Sequence, residues 1–468
     1  MNMRKSKSTR RKFLKQSSAI SIGFVGLQSF MMKGCDDPPS EVLQQLNMPY
    51  GQLFADKQKM LKLPKGFTYK VISRQGDKMS DGLLTPGLPD GMATFDGGEG
   101  KVVVVRNHEL ISADFGAAGK TNEVNPDIPP EKIYDLGSSK VRCKGGTTTF
   151  VYDEKTGVIE SSWLSLAGTI RNCAGGSTPW NSWVSCEETF VGKSKNLKKA
   201  HGYNFEVPAT LTPSLADPIP LKAMGRFNHE AICVDPNTGI VYQTEDRNDS
   251  CIYRFIPTEK GNLKGGGRLQ ALVIKSKKKK DTRNWGADPM PISKRMEVEW
   301  VDIKDVNPTK DSIRYQAQEQ GAAMFARGEG MWFGEKEVYF ACTSGGRKKW
   351  GQVFRYVPSP MEGTALEKEQ PGTLELFLEP NNRELLQNCD NLTVAPWGDI
   401  IMCEDRARPN IVGVTPGGEM YRIAENIGRP SEFAGGVFSP SGKTFFVNIQ
   451  HYGLTLAITG PWDRTKHS

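Results

Sequence analysis

Carboxylates and one thiol recur in pairs along the chain, and the members of each pair are separated by similar numbers of residues. Oxygen ligands suit hard ions such as calcium, and a thiolate among them suits iron or another transition ion. Glu329 begins a further segment of the same kind. The four complete pairs, 19, 15, 16 and 15 residues apart, are Asp90 and Glu109, Cys173 and Glu188, Glu230 and Asp246, and Asp390 and Asp405.

Six segments of common design carry these residues. Most read as a polar residue, a short strand, a turn, a second strand and another polar residue, with turns rich in Pro, Asp, Asn and Gly, as at residues 235–239 and 396–399. Repeated small antiparallel sheets predict an all-β fold, a six-bladed β-propeller with insertions at about residues 190–222 and 258–315. A hairpin brings its two ends to one edge, so we expect the paired residues to meet at one mouth of the channel.

Such a ring of carboxylates would be strongly self-repelling, and bound cations would relieve the repulsion. Cys173 holds a position where other segments place Asp or Glu, which favours a metal ligand over a small buried filler. The alternative for the acids is that they only cap strand ends by binding backbone amides. The recurrence of the pattern favours the metal site.

Arg327 lies two residues before Glu329, so the two side chains share one face of an extended strand. A guanidinium beside multivalent cations predicts a bidentate clamp for phosphate or carboxylate, and the alternative is a salt bridge to a neighbouring acid. His108 and His229 occur in matching Asn-His-Glu triplets. They are candidate ligands, but we expect them to support the adjacent glutamates.

Residues 1–35 form a twin-arginine signal segment, with Arg10-Arg11 followed by a short apolar stretch. Cys35 after Gly34 is a candidate lipoprotein cleavage site and lipid anchor. Eight of the 61 Lys and Arg residues lie in this segment, which leaves 53 against 53 Asp and Glu. A neutral mature chain gives no support for nucleic-acid binding. We expect a linker at residues 36–60 and a single monomeric propeller domain at residues 61–468.

Several motifs follow one another along the chain: Arg106-Asn107-His108-Glu109, Asn172-Cys173-Ala174-Gly175-Gly176, Gly225-Arg226-Phe227-Asn228-His229-Glu230, Arg327-Gly328-Glu329-Gly330 and Asp390-Asn391-Leu392. In this order they resemble the motifs of the PhoX-type alkaline phosphatases. The resemblance implies an exported propeller hydrolase with Fe³⁺ and Ca²⁺ that acts on small-molecule phosphate monoesters. It further implies iron ligands (Cys173, Glu230 and Glu329), calcium ligands (Glu109, Glu188 and Asp390) and a catalytic phosphate-binding residue (Arg327).

Two other functions are consistent with a propeller carrying acids at its mouth. A calcium-dependent lactonase or esterase would need no iron and would tolerate Cys173→Ser. A non-catalytic binding propeller, tethered as a surface lipoprotein, would turn over no phosphate ester. In each case the signal segment predicts a periplasmic or membrane-anchored location.

Overall fold

The computed structural model describes residues 46–121 and 128–462. Over these residues the chain is almost entirely β, with 26 strands and a single α-helix, α1 (Ile313–Glu319). No helix in this part of the chain has the length and apolar character needed to cross a membrane. The predicted signal segment and Cys35 lie outside the described residues.

The strands follow one another in short hairpins. The first half consists of β1 (Leu53–Ala55), β2 (Leu61–Pro64), β3 (Thr68–Arg74), β4 (Pro89–Asp96), β5 (Lys101–His108), β6 (Gly145–Asp153), β7 (Val158–Thr169), β8 (Asn172–Ser177), β9 (Ser182–Glu187), β10 (Asn204–Pro208), β11 (His229–Val234), β12 (Val241–Glu245) and β13 (Tyr253–Pro257). The second half consists of β14 (Gly267–Ile274), β15 (Met296–Asp302), β16 (Gly328–Phe333), β17 (Val338–Cys342), β18 (Gln352–Val357), β19 (Thr373–Leu378), β20 (Cys389–Val394), β21 (Ile400–Glu404), β22 (Asn410–Val414), β23 (Met420–Asn426), β24 (Phe433–Phe438), β25 (Thr444–Ile449) and β26 (Leu454–Thr459).

Six strands form an inner layer in which each strand contacts the next around a closed ring. The cyclic order is β4, β8, β11, β16, β20 and β24, with β24 returning to β4. Every one of the six starts a run of antiparallel neighbours that extends outward from the ring. The all-β class and the propeller-like arrangement predicted from the repeat are therefore confirmed.

The hydrogen-bonded sheets in the described residues number five rather than six. The strand β15 pairs with both β14 and β19, which joins two four-stranded units into one nine-stranded sheet from β11 to β16. The segments predicted as insertions also contain ordinary strands, with β10 in the first and β14 and β15 in the second. These outer strands lack the polar ends of the inner hairpins, so the repeat pattern did not identify them.

Strands from both ends of the described chain close the ring. The early strand β3 pairs with β26, with Val71 opposite Leu456, and β1 and β2 extend the sheet of β20–β23. Residues of the predicted linker take part in this packing, because Tyr50 is buried and its ring contacts Phe67 and Trp462. The core otherwise lies between neighbouring sheets, where aliphatic and aromatic side chains face each other.

Candidate metal centre

The six inner strands share one irregularity at the same position. In β8, Asn172 pairs with Glu187 and Gly175 with Ser185, so three steps on the inner strand match two on its partner. The other five inner strands show the same three-against-two shift. Such a β-bulge bends the strand and redirects the side chain at the extra residue. The first residues within the six bulges are Asp90, Cys173, Glu230, Glu329, Asp390 and Gly435.

Small residues follow the site residues because neighbouring inner strands approach closely there. A Cβ added to Gly330 would lie 2.5 Å from the backbone nitrogen of Leu392 and 2.7 Å from the carbonyl oxygen of Asp390. A Cβ on Gly91 would lie 2.7 Å from the Cα of Ala174. Glycine at both positions lets adjacent bulges pack together, which brings their side chains into one site.

The second strand of each hairpin ends in a polar residue whose direction follows the strand alternation. Glu187 is the last residue of β9 and binds backbone amides of Ile170 and Gly202 at 3.0 and 2.8 Å. The next residue, Glu188, faces the channel and shares a ligand group with Cys173 and Glu230. Two successive acids therefore have different roles, one structural and one at the site.

The channel mouth holds four overlapping groups of carboxylates and thiol, which we call the acid arc. Within each group the ligand atoms lie no more than 4.8 Å apart. All six residues predicted as metal ligands belong to the arc, although their role as ligands stays a prediction. The groups are Asp90, Glu109 and Cys173; Cys173, Glu188 and Glu230; Glu230, Glu329 and Asp390; and Asp390, Asp405 and Glu432.

Burial and mutual repulsion make these carboxylates hard to ionise without a cation. Burial, with repulsion from Glu109 second, raises the pKa of Glu188 to about 8. Burial, with repulsion from Asp405 second, raises the pKa of Asp390 to about 7. The pKa of Glu329 is also raised, first by burial and then by repulsion from Asp246.

The surroundings of Glu230 show whether the acid arc is suited to binding a metal. Its side chain is fully buried, and neither carboxylate oxygen has a hydrogen-bond partner among the described residues. A buried carboxylate without partners is costly unless a cation or proton satisfies it. Glu230 belongs both to the group that contains Cys173 and Glu188 and to the group that contains Glu329 and Asp390. Its oxygens therefore lie between a sulfur donor and further oxygen donors, and together these can bind multivalent ions. The residues present therefore fit a metal cluster.

Arg327 lies at the arc with its guanidinium held by two acids. Its Nε and Nη2 donate to the two carboxylate oxygens of Asp246 at 2.8 Å, and Nη2 donates to Glu329 at 2.9 Å. The backbone at Arg327 is left-handed, with φ of 53°, just before β16 begins. The salt bridge considered from the sequence is therefore present, and it holds Arg327 beside Glu329.

Comparison with known proteins identifies the family. A family model for alkaline phosphatase PhoX matches residues 48–453 of this chain. The chain belongs to the PhoX alkaline phosphatase family. Membership supports a phosphatase-type hydrolase with the metal dependence of that family. No curated protein matched the sequence.

Several solved propellers are distantly similar to this PhoX-family chain. A gluconolactonase from Xanthomonas campestris is 10% identical over 88% of this chain and 98% of its own, with a TM-score of 0.40. A putative gluconolactonase is 11% identical over 87% and 98%, with a TM-score of 0.36. The β-propeller domain of Cps50 from Myceliophteria thermophila is 9% identical over 68% and 92%, with a TM-score of 0.36.

A second arginine of this PhoX-family protein reaches the arc and was not predicted. Arg171 pairs with Glu109 at 2.6 Å and forms a close ion pair with Glu188. Like Arg327, it has a left-handed backbone, with φ of 51°, and directly precedes a bulged inner strand. The position of Arg171 one residue before β8 matches that of Arg327 before β16, and this equivalence was available from the repeat.

The sixth segment contributes neutral and acidic groups that sequence reasoning also missed. Glu432 joins Asp390 and Asp405, and burial, followed by its hydrogen bond with Asp405, raises the pKa of Glu432 to about 11. Gln450 donates through Nε2 to Asp90 at 2.6 Å and to Glu109 at 3.0 Å. A neutral amide is not among the charged and thiol residue types that predicted the site.

Neither histidine of the Asn-His-Glu triplets hydrogen-bonds its adjacent glutamate, so that expectation was wrong. His229 contacts the Gly225 carbonyl through Nε2 at 3.0 Å. His108 hydrogen-bonds the Gly87 carbonyl and the Thr148 hydroxyl, both at 2.8 Å, because its side chain alternates away from the channel. The asparagine of the first triplet, Asn107, instead supports the neighbouring inner strand. Asn107 donates to the carbonyl oxygens of Cys173 and Ala174 at 3.1 and 2.7 Å, and so holds the bulge of the neighbouring strand.

Proposed function

We propose that this protein is an exported, metal-dependent phosphatase that hydrolyses phosphate monoesters at the acid arc. The observation that carries the proposal is Glu230, whose two buried oxygens have no partner within a ring of carboxylates and one thiol. The PhoX family assignment supports the reaction class. We further propose that the nine-stranded sheet represents two fused blades, so that the six inner strands define a six-bladed propeller.

The ions we propose are Fe³⁺ and Ca²⁺. The thiolate of Cys173, with Glu230 and Glu329, would hold iron, because sulfur favours a transition ion. Glu109, Glu188 and Asp390 would hold calcium through oxygen alone. When bound, such cations neutralise phosphate oxygens and stabilise the charge that develops in the transition state.

The protein's own residues position the ester. Asp246 binds the Nε and Nη2 edge of Arg327 and fixes the plane of the guanidinium. The Nη1 atom of Arg327 takes no part in these hydrogen bonds. Nη1 is therefore available to a phosphate oxygen. Arg171 supplies a second cation at the other end of the arc, beside Glu109 and Glu188. Two fixed guanidiniums orient the ester before the chemical step.

Export by the twin-arginine route fits a protein that binds its metals before it leaves the cytoplasm. We propose that residues 1–35 act as the signal, and that the mature protein is periplasmic or is anchored to a membrane through Cys35. The proposed partners are small-molecule phosphate esters, with no nucleic acid, and the proposed state is a monomer.

Elemental analysis of protein purified without chelator, together with an aryl-phosphate assay, tests the proposal. We expect both iron and calcium, with phosphatase activity that chelation abolishes. Cys173→Ser should lose iron and activity together, and Cys233→Ser, which alters a buried cysteine away from the arc, should lose neither. Calcium without iron, with activity on a lactone or carboxylic ester that survives Cys173→Ser, would establish the lactonase or esterase alternative instead. Absence of both metals and of turnover would favour a binding propeller.

A further inference from the structure

A second cluster of metal-ligating side chains lies outside the acid arc. Asp135, Cys143 and His201 are all buried, and their ligand atoms lie within 4.8 Å of one another. The Nε2 atom of His201 is 3.5 Å from Oδ2 of Asp135 and 3.9 Å from Sγ of Cys143. The three residues come from two separate connections, one before β6 and one before β10.

A carboxylate fixes the orientation of the histidine. Oε1 of Glu187 lies 2.6 Å from Nδ1 of His201, which directs Nε2 toward the sulfur of Cys143 and the oxygen of Asp135. Glu187 is itself fixed by the amides of Ile170 and Gly202. Histidines that bind metals characteristically have a carboxylate on the other ring nitrogen, because it sets the tautomer and the ring orientation.

The aspartate is equally well positioned. Oδ2 of Asp135 accepts hydrogen bonds from the amides of Lys198 and Lys199, both at 2.7 Å. These amides hold the carboxylate oxygen that also faces Nε2 of His201. The donor atoms of Asp135 and His201 are therefore positioned by their surroundings.

We propose that Asp135, Cys143 and His201 form a separate binding site for a zinc-class transition ion. One nitrogen, one sulfur and one oxygen are ligands that tetrahedral Zn²⁺ accepts, and zinc–ligand bonds of about 2.0–2.3 Å give ligand–ligand separations of roughly 3.3–3.7 Å. The separations of 3.5 and 3.9 Å are close to this range. Nitrogen and sulfur donors select against calcium, which takes oxygen ligands.

Three protein ligands leave the fourth position of a tetrahedral ion to a further ligand such as water. The bound ion would tie two long connections to the end of β9, directly beside Glu188 of the acid arc. This site does not depend on the proposed function, because a lactonase or a binding propeller with these residues would bind the same ion.

The cluster has one metal-free explanation, in which a protonated His201 lies between Glu187 and Asp135 and Cys143 is only a filler. Cobalt distinguishes the two explanations, because thiolate coordination to Co²⁺ produces a sulfur-to-metal charge-transfer band. The test uses the full chain with Cys173→Ser, which removes the thiol of the acid arc, stripped of metal and titrated with Co²⁺ alone.

We expect a stoichiometric charge-transfer band in the Cys173→Ser protein and its displacement by added Zn²⁺. Adding Cys143→Ser should abolish the band, and adding Cys233→Ser, a buried sulfur outside the cluster, should leave it unchanged. No band in the Cys173→Ser protein overturns the proposal, even if the double variant does not fold. A band that persists after Cys143→Ser also overturns it. Phosphatase activity enters none of these measurements, so their outcome is separate from that of the proposed function.

Discussion

Two glutamates of this protein show how environment divides roles between identical side chains. Glu187 and Glu230 are both fully buried. Glu187 is surrounded by donors, including the ring of His201 and two backbone amides, whereas neither oxygen of Glu230 has a partner among the described residues. A carboxylate with a full set of donors is structural, and one without them requires a cation or a proton.

Glu230→Gln should affect the metal-loaded and metal-free proteins differently. It removes a proposed central ligand of the acid arc, so we expect loss of bound iron and roughly a 100-fold fall in phosphatase activity. In the metal-free protein it removes only a repelling carboxyl, so the melting temperature should not fall. Elemental analysis and thermal unfolding with and without chelator measure both effects.

Glu206→Gln is the matched control for that substitution, because Glu206 hydrogen-bonds Trp180 and Ser182 away from the arc. It should retain metal and activity. Normal iron content in Glu230→Gln would show that the oxygens of Glu230 are not ligands.

Arg327→Lys should weaken phosphate-ester turnover while leaving the fold intact. Lysine keeps the charge but cannot make the paired contacts of Nε and Nη2 with Asp246, so the cation loses its fixed orientation. Hydrogen bonds to charged groups contribute about 1.5–3 kcal/mol, which corresponds to roughly a 10–100-fold fall in kcat/KM.

Arg171→Lys gives the comparison for Arg327→Lys. A similar fall in kcat/KM would indicate that both arginines contact the phosphate ester. Unchanged kinetics in Arg327→Lys, with inorganic phosphate inhibiting as strongly as before, would remove Arg327 from the site.

At the scale of the strand, the bulge is the device that builds the site. Each inner strand of the ring inserts one residue at the same point, and five of the six inserted residues carry a carboxylate or thiol side chain. The sixth is Gly435, where a Cβ would lie 2.2 Å from the carbonyl oxygen of Asp90. The bulge of the sixth strand therefore packs against the backbone of Asp90 and carries no ligand side chain.

Gly330→Ala tests the close approach of neighbouring bulges. The added methyl would meet the backbone of Leu392 and Asp390 at 2.5 and 2.7 Å, so β16 and β20 must separate. We expect a loss of about 1–3 kcal/mol in unfolding free energy, as for other overpacked sites, and weaker metal retention.

Gly286→Ala is the control for that substitution, since no atom lies within 4 Å of its added Cβ. Chemical denaturation and metal analysis compare the two proteins. Equal stability and metal content in both would contradict the role assigned to the glycine beside Glu329.

At the scale of the whole molecule, strands that are far apart in the sequence close the ring, and the carboxylates of the acid arc repel one another within it. The pairing of β3 with β26 and the packing of the inner strands hold the carboxylates of the arc together. The folded metal-free protein therefore binds protons that the unfolded chain releases. Bound cations replace those protons.

Metal removal should make stability depend strongly on pH. The pKa of Glu188 is raised to about 8 and that of Asp390 to about 7, above their unfolded values of about 4. At a pH between the unfolded and the raised pKa values, the folded state binds more protons than the unfolded chain does. The unfolding free energy therefore falls as pH rises, by about 1.4 kcal/mol per pH unit for each proton.

The melting temperature of EDTA-dialysed protein should therefore fall from about pH 5 to about pH 8, and that of metal-loaded protein should change much less. Calcium and iron together should restore the loaded behaviour. A metal-free protein whose stability stays level or rises over this range would contradict the assigned repulsion within the arc.

Much of the site could be predicted because its residues recur with the hairpin. Asp90, Glu230 and Asp390 begin equivalent segments, and hairpin geometry alone brings the two ends of each segment to one edge. Arg171 occupies a position equivalent to that of Arg327 but was missed. Gln450 directly follows β25 as Glu109 follows β5, so the repeat did mark its position, but a neutral amide is not among the charged and thiol residue types that predicted the site.

The amino-acid sequence by itself determined the all-β repeat, the family and the set of acids and thiol that share a channel mouth, because all three depend on local patterns. Only the tertiary structure decided where two blade-like units join through β15, and that Asp135, Cys143 and His201 meet. Each of these depends on bulges and long connections, whose geometry is set by packing between segments far apart in the chain.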